Sequence, residues 1–249
     1  MKALSGIVLI WLGFWGQAAL AHSPFLDHQL REAAGLGDAT YVRSFLQQGA
    51  EVNSTDRNGA SALSEAVANS PSNVSAYLEV IDELLNAGAD VNLDWPYASH
   101  GAHGTLHRVP IFFGSLLTDE TGRRLIDQRV VAKLVQSPGA DLERTNENGH
   151  TALYYASETD DAEAIPLLAA AGADINRASS GRTDLGFSPL MAAIRNGAAD
   201  AFEALLLLPG LALETRAYDG STPLSLARVT AKHSNQSFWV DDLVSHGAN

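Results

Sequence analysis

Short apolar stretches with helical spacing recur along the chain, and most of them end at a glycine within a common phrase. The phrase is a Leu-rich or Val-rich segment, then Gly-Ala in most copies, then a polar tail that usually contains Asp or Glu. Because glycine favours the left-handed backbone that ends a helix, each copy predicts a helix followed by a turn. The copies are FLQQGAEVN (45–53), LLNAGADVN (84–92), LVQSPGADLE (134–143), LLAAAGADIN (167–176), LLLLPGLALE (205–214) and LVSHGAN (243–249).

A second phrase alternates with the first and predicts the start of another helix. Its copies are GASALSEA (59–66), HRVPIFFG (107–114), GHTALYYA (149–156), GFSPLMAA (186–193) and GSTPLSLA (220–227). In most copies a Ser or Thr can cap free N–H groups, and Pro suits the first helical position. Stacked helix pairs can bury apolar stripes that a single pair cannot. The alternation therefore predicts units at 26–55, 56–92, 93–143, 144–176, 177–214 and 215–249.

The two phrases together resemble the ankyrin-repeat family, whose pattern is Asp-x-x-Gly-x-Thr-Pro-Leu-His-x-Ala, a helix, then Leu-Leu-x-x-Gly-Ala-Asp-Val-Asn. The resemblance covers about residues 26–249. It implies an all-α ankyrin-repeat solenoid of about six helix-pair repeats with β-hairpin fingers, forming one domain over residues 22–249. Packing and other turns must replace the bonds of the family's His, because the residues at that position are Ser64, Phe112, Tyr154, Met191 and Ser225.

Residues 1–21 have the pattern of an export signal. Lys2 precedes an uncharged apolar run over 3–15, and an Ala-Leu-Ala sequence ending at Ala21 is typical of a signal-peptidase site. Cleavage there would leave a chain without a stable membrane segment, and the absence of Cys favours a bacterial periplasm. Secretion, or anchoring by an uncleaved signal, is the alternative, because the apolar segment is almost long enough to span a bilayer.

Composition and charge narrow the functional classes. The chain is 46% hydrophobic and 18% charged, and 29 acidic residues against 16 basic ones give a formal net charge of −13. Such a surface repels nucleic acid and favours a protein partner that is basic or neutral. The sequence has no Cys, no Gly-x-Ser-x-Gly, no Gly-rich phosphate loop and no His-Glu-x-x-His. We expect no enzymatic activity, no cofactor and a monomer when the protein is alone.

The predicted hairpin at 93–108 is the longest in the chain and contains His100, His103 and His107. Imidazoles at this spacing could share a Zn²⁺ or Cu²⁺ ion if the loop curls. A metal-binding accessory protein that uses this hairpin is therefore the alternative function. The other interpretation is a polar, Gly-rich loop whose histidines face solvent or a protein.

The resemblance also implies where a partner would bind, because ankyrin domains usually bind proteins with hairpin tips and with the first helix of each pair. The matching positions, which we expect to be exposed at the tips, are Arg57, Asn58, Glu147, Asn148, His150, Asp184, Phe187, Tyr218 and Asp219. The matching positions on first helices are Glu65, Phe113 and Tyr155, with Trp95 and Tyr97 on the long hairpin. Phe113, Tyr155, Phe187 and Tyr218 predict an aromatic strip of the kind enriched in interfaces. Each ring could instead pack between hairpins or against a neighbouring helix.

Together these patterns predict a non-enzymatic protein-binding scaffold in the bacterial periplasm, which binds and neutralises or chaperones a partner protein. Exported bacterial ankyrin proteins that resemble this one include immunity proteins against delivered toxins and accessory factors for oxidative-stress enzymes. Analogy of fold favours one of these two roles, and a purely structural role at the envelope is the third interpretation.

Overall fold

Successive helix pairs run along the chain in the computed structural model, which describes residues 23–94, 110–116, 125–146, 148–181, 186–231 and 238–248. We number the six pairs found in these residues units 1 to 6. The first helices are α1 (Pro24–Gly35), α3 (Ala62–Asn69), α5 (Ile111–Gly114), α7 (Ala152–Glu158), α9 (Pro189–Asn196) and α11 (Pro223–Thr230). The second helices are α2 (Ala39–Gln47), α4 (Val74–Asn86), α6 (Gln128–Val135), α8 (Ala164–Ala170), α10 (Ala199–Leu206) and α12 (Phe238–Ser245). A 3₁₀ turn, Ser70–Ser72, precedes α4.

The helices form two rows that share one main core. In the row of first helices, the inner row, α1 contacts α3, α3 contacts α5, α7 contacts α9 and α9 contacts α11. In the outer row, α2, α4, α6, α8 and α10 contact one another in sequence. One cluster of buried apolar residues extends from Leu30 in unit 1 to Ala248 in unit 6. Among the described residues the only β-pairings are two isolated bridges. The prediction of an all-α repeat solenoid is confirmed.

Side-chain caps start the inner helices of units 2 and 6. The Ser64 N–H donates to Ser61 Oγ (3.2 Å), and the Ser61 N–H donates to Ser64 Oγ (2.9 Å). Thr222 and Ser225 form the same reciprocal pair at α11. Ser64 and Ser225 stand where the ankyrin pattern has His. At both positions a serine therefore completes a local capping box.

The outer helices end as their glycines predicted, with φ between 84° and 102° at Gly49, Gly88, Gly139, Gly172, Gly210 and Gly247. An asparagine from the preceding unit bonds to several of these turns. Asn53 Nδ2 donates to Gly88 O (3.1 Å), and Asn53 Oδ1 accepts the Asp90 N–H (2.8 Å). Asn92 and Asn176 make the same two bonds to units 3 and 5. We call Asn53, Asn92 and Asn176 the asparagine ladder.

Glu143 stands at the ladder position that joins unit 3 to unit 4. Its Oε1 accepts the Asp174 N–H (2.7 Å), but a carboxylate has no N–H to donate to a glycine carbonyl. Its Oε2 lies 3.2 Å from Arg177 Nη1, a charge contact that lacks hydrogen-bond geometry. An ion pair therefore takes the place of the second ladder bond at this junction.

The helix α10 takes its cap from the preceding unit. Its own N-cap residue, Ala198, has no side chain that can accept a hydrogen bond. Asp160, in the turn between α7 and α8, accepts the Ala201 N–H on Oδ1 (2.8 Å). Asp160 is also the only described non-glycine residue with positive φ (60°). Asp and Asn are, after Gly, the residues that best tolerate this backbone, so one residue serves both the turn and the next helix.

We expect Asn176→Ala to lower the free energy of unfolding by about 1–2 kcal/mol, because it removes two hydrogen bonds between units 4 and 5. Asn86→Ala, at the exposed end of α4, is the matched control and should change stability by less than about 0.5 kcal/mol. Urea denaturation followed by circular dichroism measures both. Equal effects of the two substitutions would contradict a connecting role for the ladder.

Substitutions at Asp160 can test its two roles separately, namely the cap on α10 and the positive φ of the turn. Asp160→Asn keeps both a side-chain acceptor and tolerance of positive φ, so we expect nearly unchanged stability. Asp160→Gly keeps the backbone but loses the cap, which should destabilise the chain by about 1 kcal/mol. Asp160→Ala also introduces backbone strain, worth about another 1 kcal/mol. Thermal unfolding of the three variants should give this order, and a Gly variant as stable as the Asn variant would exclude the cap.

Candidate functional site

The hairpin turn that leads into each inner helix is called a finger and takes the number of its unit. In finger 2, Asp56 Oδ1 accepts the N–H groups of Asn58 (2.8 Å) and Ala60 (2.9 Å). Burial raises the pKa of the Asp56 carboxyl, but the hydrogen bonds from Ala60 and Asn58, with the charge of Arg31, lower that pKa by more. Its pKa therefore lies below the ordinary value of an aspartate. Asn146 closes finger 4 with the same two bonds.

The turn glycine separates exposed finger residues from buried ones. Residues just before the glycine are exposed, namely Arg57, Asn58, Asn148, Tyr218 and Asp219. The residue just after it is buried in fingers 2, 4 and 5, where it is Ala60, His150 and Phe187. Past the turn the chain heads back to its helix, and this side chain packs into the array. The structure thus corrects the prediction that His150 and Phe187 are exposed tip residues.

The predicted aromatic strip is interrupted. Phe113 is fully buried, and its ring centroid lies 5.6 Å from that of the half-buried Tyr155. Phe187 is buried beneath Arg195, whose Cζ lies 5.1 Å from the ring centroid. Burial against neighbouring side chains removes more apolar area from water than an exposed position would. Of the four rings, only Tyr218 is mostly exposed, with 75% of its surface accessible.

Polar side chains connect finger 4 to the inner helices α7 and α9. His150 Nδ1 lies 3.2 Å from Glu158 Oε2, and the His150 ring packs against that of Tyr154 at a tilt of 39°, with centroids 4.3 Å apart. Arg195 Nη2 lies 3.4 Å from both the Tyr154 hydroxyl and Glu158 Oε1. His150 therefore belongs to a cross-unit network, which fixes the inner row between units 4 and 5.

Tyr218 is exposed yet held in place by the neighbouring finger. A Cβ atom added to Gly186 would lie 2.7–2.9 Å from three atoms of the Tyr218 ring. The ring therefore lies directly over a residue that has no side chain. An aromatic ring with restricted freedom loses little entropy on binding, which suits it to be an interface anchor.

The rest of finger 6 is also fixed by local bonds. Asp219 Oδ1 accepts the Ser221 O–H (2.6 Å) and the Ser221 N–H (2.9 Å), and these two bonds lower the pKa of the Asp219 carboxyl. Arg216 Nη1 donates to Gly220 O at 3.4 Å. The finger thus presents a tyrosine, a carboxylate and a guanidinium that are each attached to the turn.

Two exposed residues on α11, Arg228 and Val229, are not among the site residues predicted from the sequence. Arg228 occupies the sixth position after the helix cap, where Val67, Ser157 and Ile194 are buried in units 2, 4 and 5. Val229 follows it and is 52% exposed. A charged residue at a position that is uncharged in those three units is the signal that could have marked this surface.

Glu65, the remaining predicted position on a first helix, is half-buried on α3. Within the described residues, no three His, Cys, Asp or Glu side chains are grouped so that they could hold a metal ion. None of the described helices is long and apolar enough to cross a bilayer. The predicted residues that lie outside the described part of the chain are Trp95, Tyr97, His100, His103, His107, Glu147 and Asp184.

Gly186→Ala should destabilise the chain more than Gly220→Ala. Both glycines have positive φ (72° and 81°), so either substitution strains the backbone by about 1–2 kcal/mol. Only at Gly186 would the new methyl group also collide with the Tyr218 ring, whereas nothing lies within 4 Å at Gly220. Chemical denaturation measures the difference, and Gly186→Ala combined with Tyr218→Ala should recover part of it. Equal losses in the two single variants would mean that the ring does not lie against Gly186.

Comparison with known proteins gives the same architecture. Residues 126–217 match the family described as ankyrin repeats (3 copies). The Neurogenic locus Notch protein of Drosophila melanogaster is 31% identical over 183 residues, which are 70% of this chain but only 6% of that protein. The chain thus spans a small part of the length of this curated relative.

Two solved structures extend the likeness over most of the chain. The ankyrin repeat domain of Bcl-3, a member of the IkappaB protein family, is 27% identical, with a TM-score of 0.64 over 89% of this chain and 86% of that one. An ankyrin repeat domain from Acinetobacter baumannii AYE is 26% identical, with a TM-score of 0.60 over 88% of this chain and 98% of that one. The chain is therefore an ankyrin-repeat solenoid, and its residues 126–217 match the ankyrin-repeat family.

Proposed function

We propose that the chain is a non-enzymatic scaffold of the bacterial periplasm that binds a partner protein and neutralises or chaperones it. Ankyrin repeats indicate a protein-interaction scaffold. The single observation that carries the proposal furthest is Tyr218, which is 75% exposed and rests on Gly186 of the adjacent finger. An exposed ring adds nothing to the buried core of the array, whereas a bound partner could remove the ring from water.

The proposed binding surface consists of the exposed finger tips and the half-exposed residues of the inner helices. The tip residues are Arg57, Asn58, Asn148, Tyr218 and Asp219, and the helix residues are Glu65 and Tyr155. Fingers 4 and 5 touch through their backbones, because the Ser180 N–H donates to Gly149 O (3.1 Å). A surface built on such contacts needs little rearrangement on binding, which favours affinity.

The proposed location and partner charge rest on the sequence. The apolar segment over 3–15 and the small residues that end at Ala21 favour export. A net charge of −13 favours a partner that is basic or neutral overall. A delivered toxin or an oxidative-stress enzyme is the partner class that the analogy with exported ankyrin proteins supports.

The test is capture of the partner by the affinity-tagged full-length chain, expressed in the cells that naturally produce it. The periplasmic fraction should contain the tagged protein with a co-purifying protein. Tyr218→Ala should reduce the amount of that protein about tenfold, because a buried Tyr anchor contributes roughly 1–2 kcal/mol or more. Quantitative mass spectrometry of the eluates provides the measurement.

Leu207→Ala is the matched control, since Leu207 is 83% exposed but lies at the end of an outer helix. It should leave capture unchanged. Recovery of the tagged chain from the cytoplasm alone would contradict the proposed location. Equal capture by wild type and Tyr218→Ala would contradict the proposed surface, and no specific protein in any eluate would contradict the scaffold.

A further inference from the structure

Charge is divided between the two sides of units 4 to 6. The segments 160–172, 197–210 and 238–248, which contain the outer helices of these units, have no Lys or Arg. Their carboxylates are Asp160, Asp161, Glu163, Asp200, Glu203, Asp241 and Asp242. The described arginines of the same units all lie in finger segments or on inner helices, as Arg144, Arg177, Arg195, Arg216 and Arg228. The acidic excess therefore belongs to the outer row.

Three of these arginines are paired with carboxylates inside the array. The pairs are Arg144 with Asp94 (2.7 Å), Arg177 with Glu143 (3.2 Å) and Arg195 with Glu158 (3.4 Å). Each pair joins two units. These guanidinium groups stabilise the stack and contribute little free positive charge to the surface.

Arg216 and Arg228 differ from the other three. Both are exposed, both belong to unit 6, and neither has an ion pair within the described part of the chain. Two carboxylates lie near Arg216 in the sequence, Glu214 at the end of unit 5 and Asp219 on finger 6. Asp219 is turned toward Ser221 and accepts two hydrogen bonds from it. The finger and inner helix of unit 6 therefore hold two cations and one engaged carboxylate, with Glu214 at their border.

Exposed apolar surface lies on the same two elements. Tyr218 is 75% exposed on finger 6, and Val229, next to Arg228 on α11, is 52% exposed. Tyr and Arg are, with Trp, the residue types enriched at the energetic centres of protein interfaces. Guanidinium groups bind carboxylates through two parallel N–H donors, which adds geometric selectivity to the charge.

From this arrangement we propose that finger 6 and α11 form the docking surface for a segment of the partner protein that carries carboxylate side chains beside an aromatic or aliphatic one. The inference deepens the proposed function, since it requires that a protein partner exists. The apolar side chain of the segment packs against Tyr218 and Val229, and its carboxylates bind Arg216 and Arg228. A partner that is neutral overall meets both this requirement and the net charge of the chain.

Screening explains how an acidic protein can bind an acidic segment. Neighbouring helices are separated by about 8–10 Å, and the screening length in physiological salt is about 8 Å. The outer-row carboxylates therefore act on the docked segment from a screening length or more away. Arg216 and Arg228 act at contact distance, where hydrogen bonding adds to the attraction.

The experiment selects a phage-displayed library of random twelve-residue peptides on the purified full chain. We expect the recovered peptides to be enriched in Asp and Glu next to Phe, Trp or Leu. Their dissociation constants, measured by fluorescence polarisation, should rise about tenfold for Arg216→Gln and for Arg228→Gln, and further for the double variant. Arg129→Gln, on the outer helix α6, is the matched control and should bind as wild type does. Circular dichroism verifies that every variant is folded.

Recovery of Lys-rich or Arg-rich peptides, or of no enriched peptide, would overturn the proposal. Acidic peptides that bind the double variant as tightly as wild type would also overturn it, because they would bind elsewhere. The proposed function is judged independently by partner capture from cells. A captured partner that is retained by Arg216→Gln/Arg228→Gln but lost by Tyr218→Ala would leave the scaffold function standing and remove the acidic segment.

Discussion

An inner helix in this array can be fully buried only when another unit lies against it, and the rest of the structure depends on this constraint. The sixth position after the helix cap shows it directly. Val67, Ser157 and Ile194 occupy this position in units 2, 4 and 5 and are buried, whereas unit 6 has the exposed Arg228. Arg228 therefore gives the face of unit 6 a charge that the corresponding positions of units 2, 4 and 5 lack.

Apolar burial and hydrogen bonding contribute differently to the contact between neighbouring units. Burying a Leu or Ile side chain contributes roughly 1.5–3 kcal/mol, whereas one ladder bond contributes roughly 0.5–1.5 kcal/mol. Apolar burial therefore supplies most of the stability of the stack, but it is not directional. Asn53, Asn92 and Asn176 each bind a carbonyl and an N–H of the following unit, which fixes how far one unit can slide along the next. Asp160 does the same through the start of α10.

The sequence predicted the fold because its signals are local. Helix caps, closing glycines and apolar spacing each depend on a few neighbouring residues, and they agree with one another in most units.

The cross-unit features could not be predicted in this way. The cap on α10 comes from Asp160, which lies 41 residues before Ala201, the residue whose N–H it accepts. A rule based on neighbouring residues cannot find a partner at that separation. The burial of His150 and Phe187 likewise depends on which way the chain turns after the finger glycine. Residues before that glycine, such as Arg57 and Tyr218, were predicted correctly as exposed because they lie at the outermost point of the turn.

The net charge of −13 determines how the molecule acts on distant charges, but it does not give the charge at any one place on the surface. A sum over the sequence treats every carboxylate alike, but the segments that contain the outer helices of units 4 to 6 have acidic residues and no Lys or Arg. The described arginines of these units lie in the fingers and on the inner helices. Beyond about 8 Å of salt solution a charge is largely screened, so contact chemistry depends on the few groups at a given place. Three of these arginines, Arg144, Arg177 and Arg195, are already paired with carboxylates of other units. The positive charge on unit 6 is therefore decided by which guanidinium groups have no ion pair within the described stack, and only the folded arrangement reveals that.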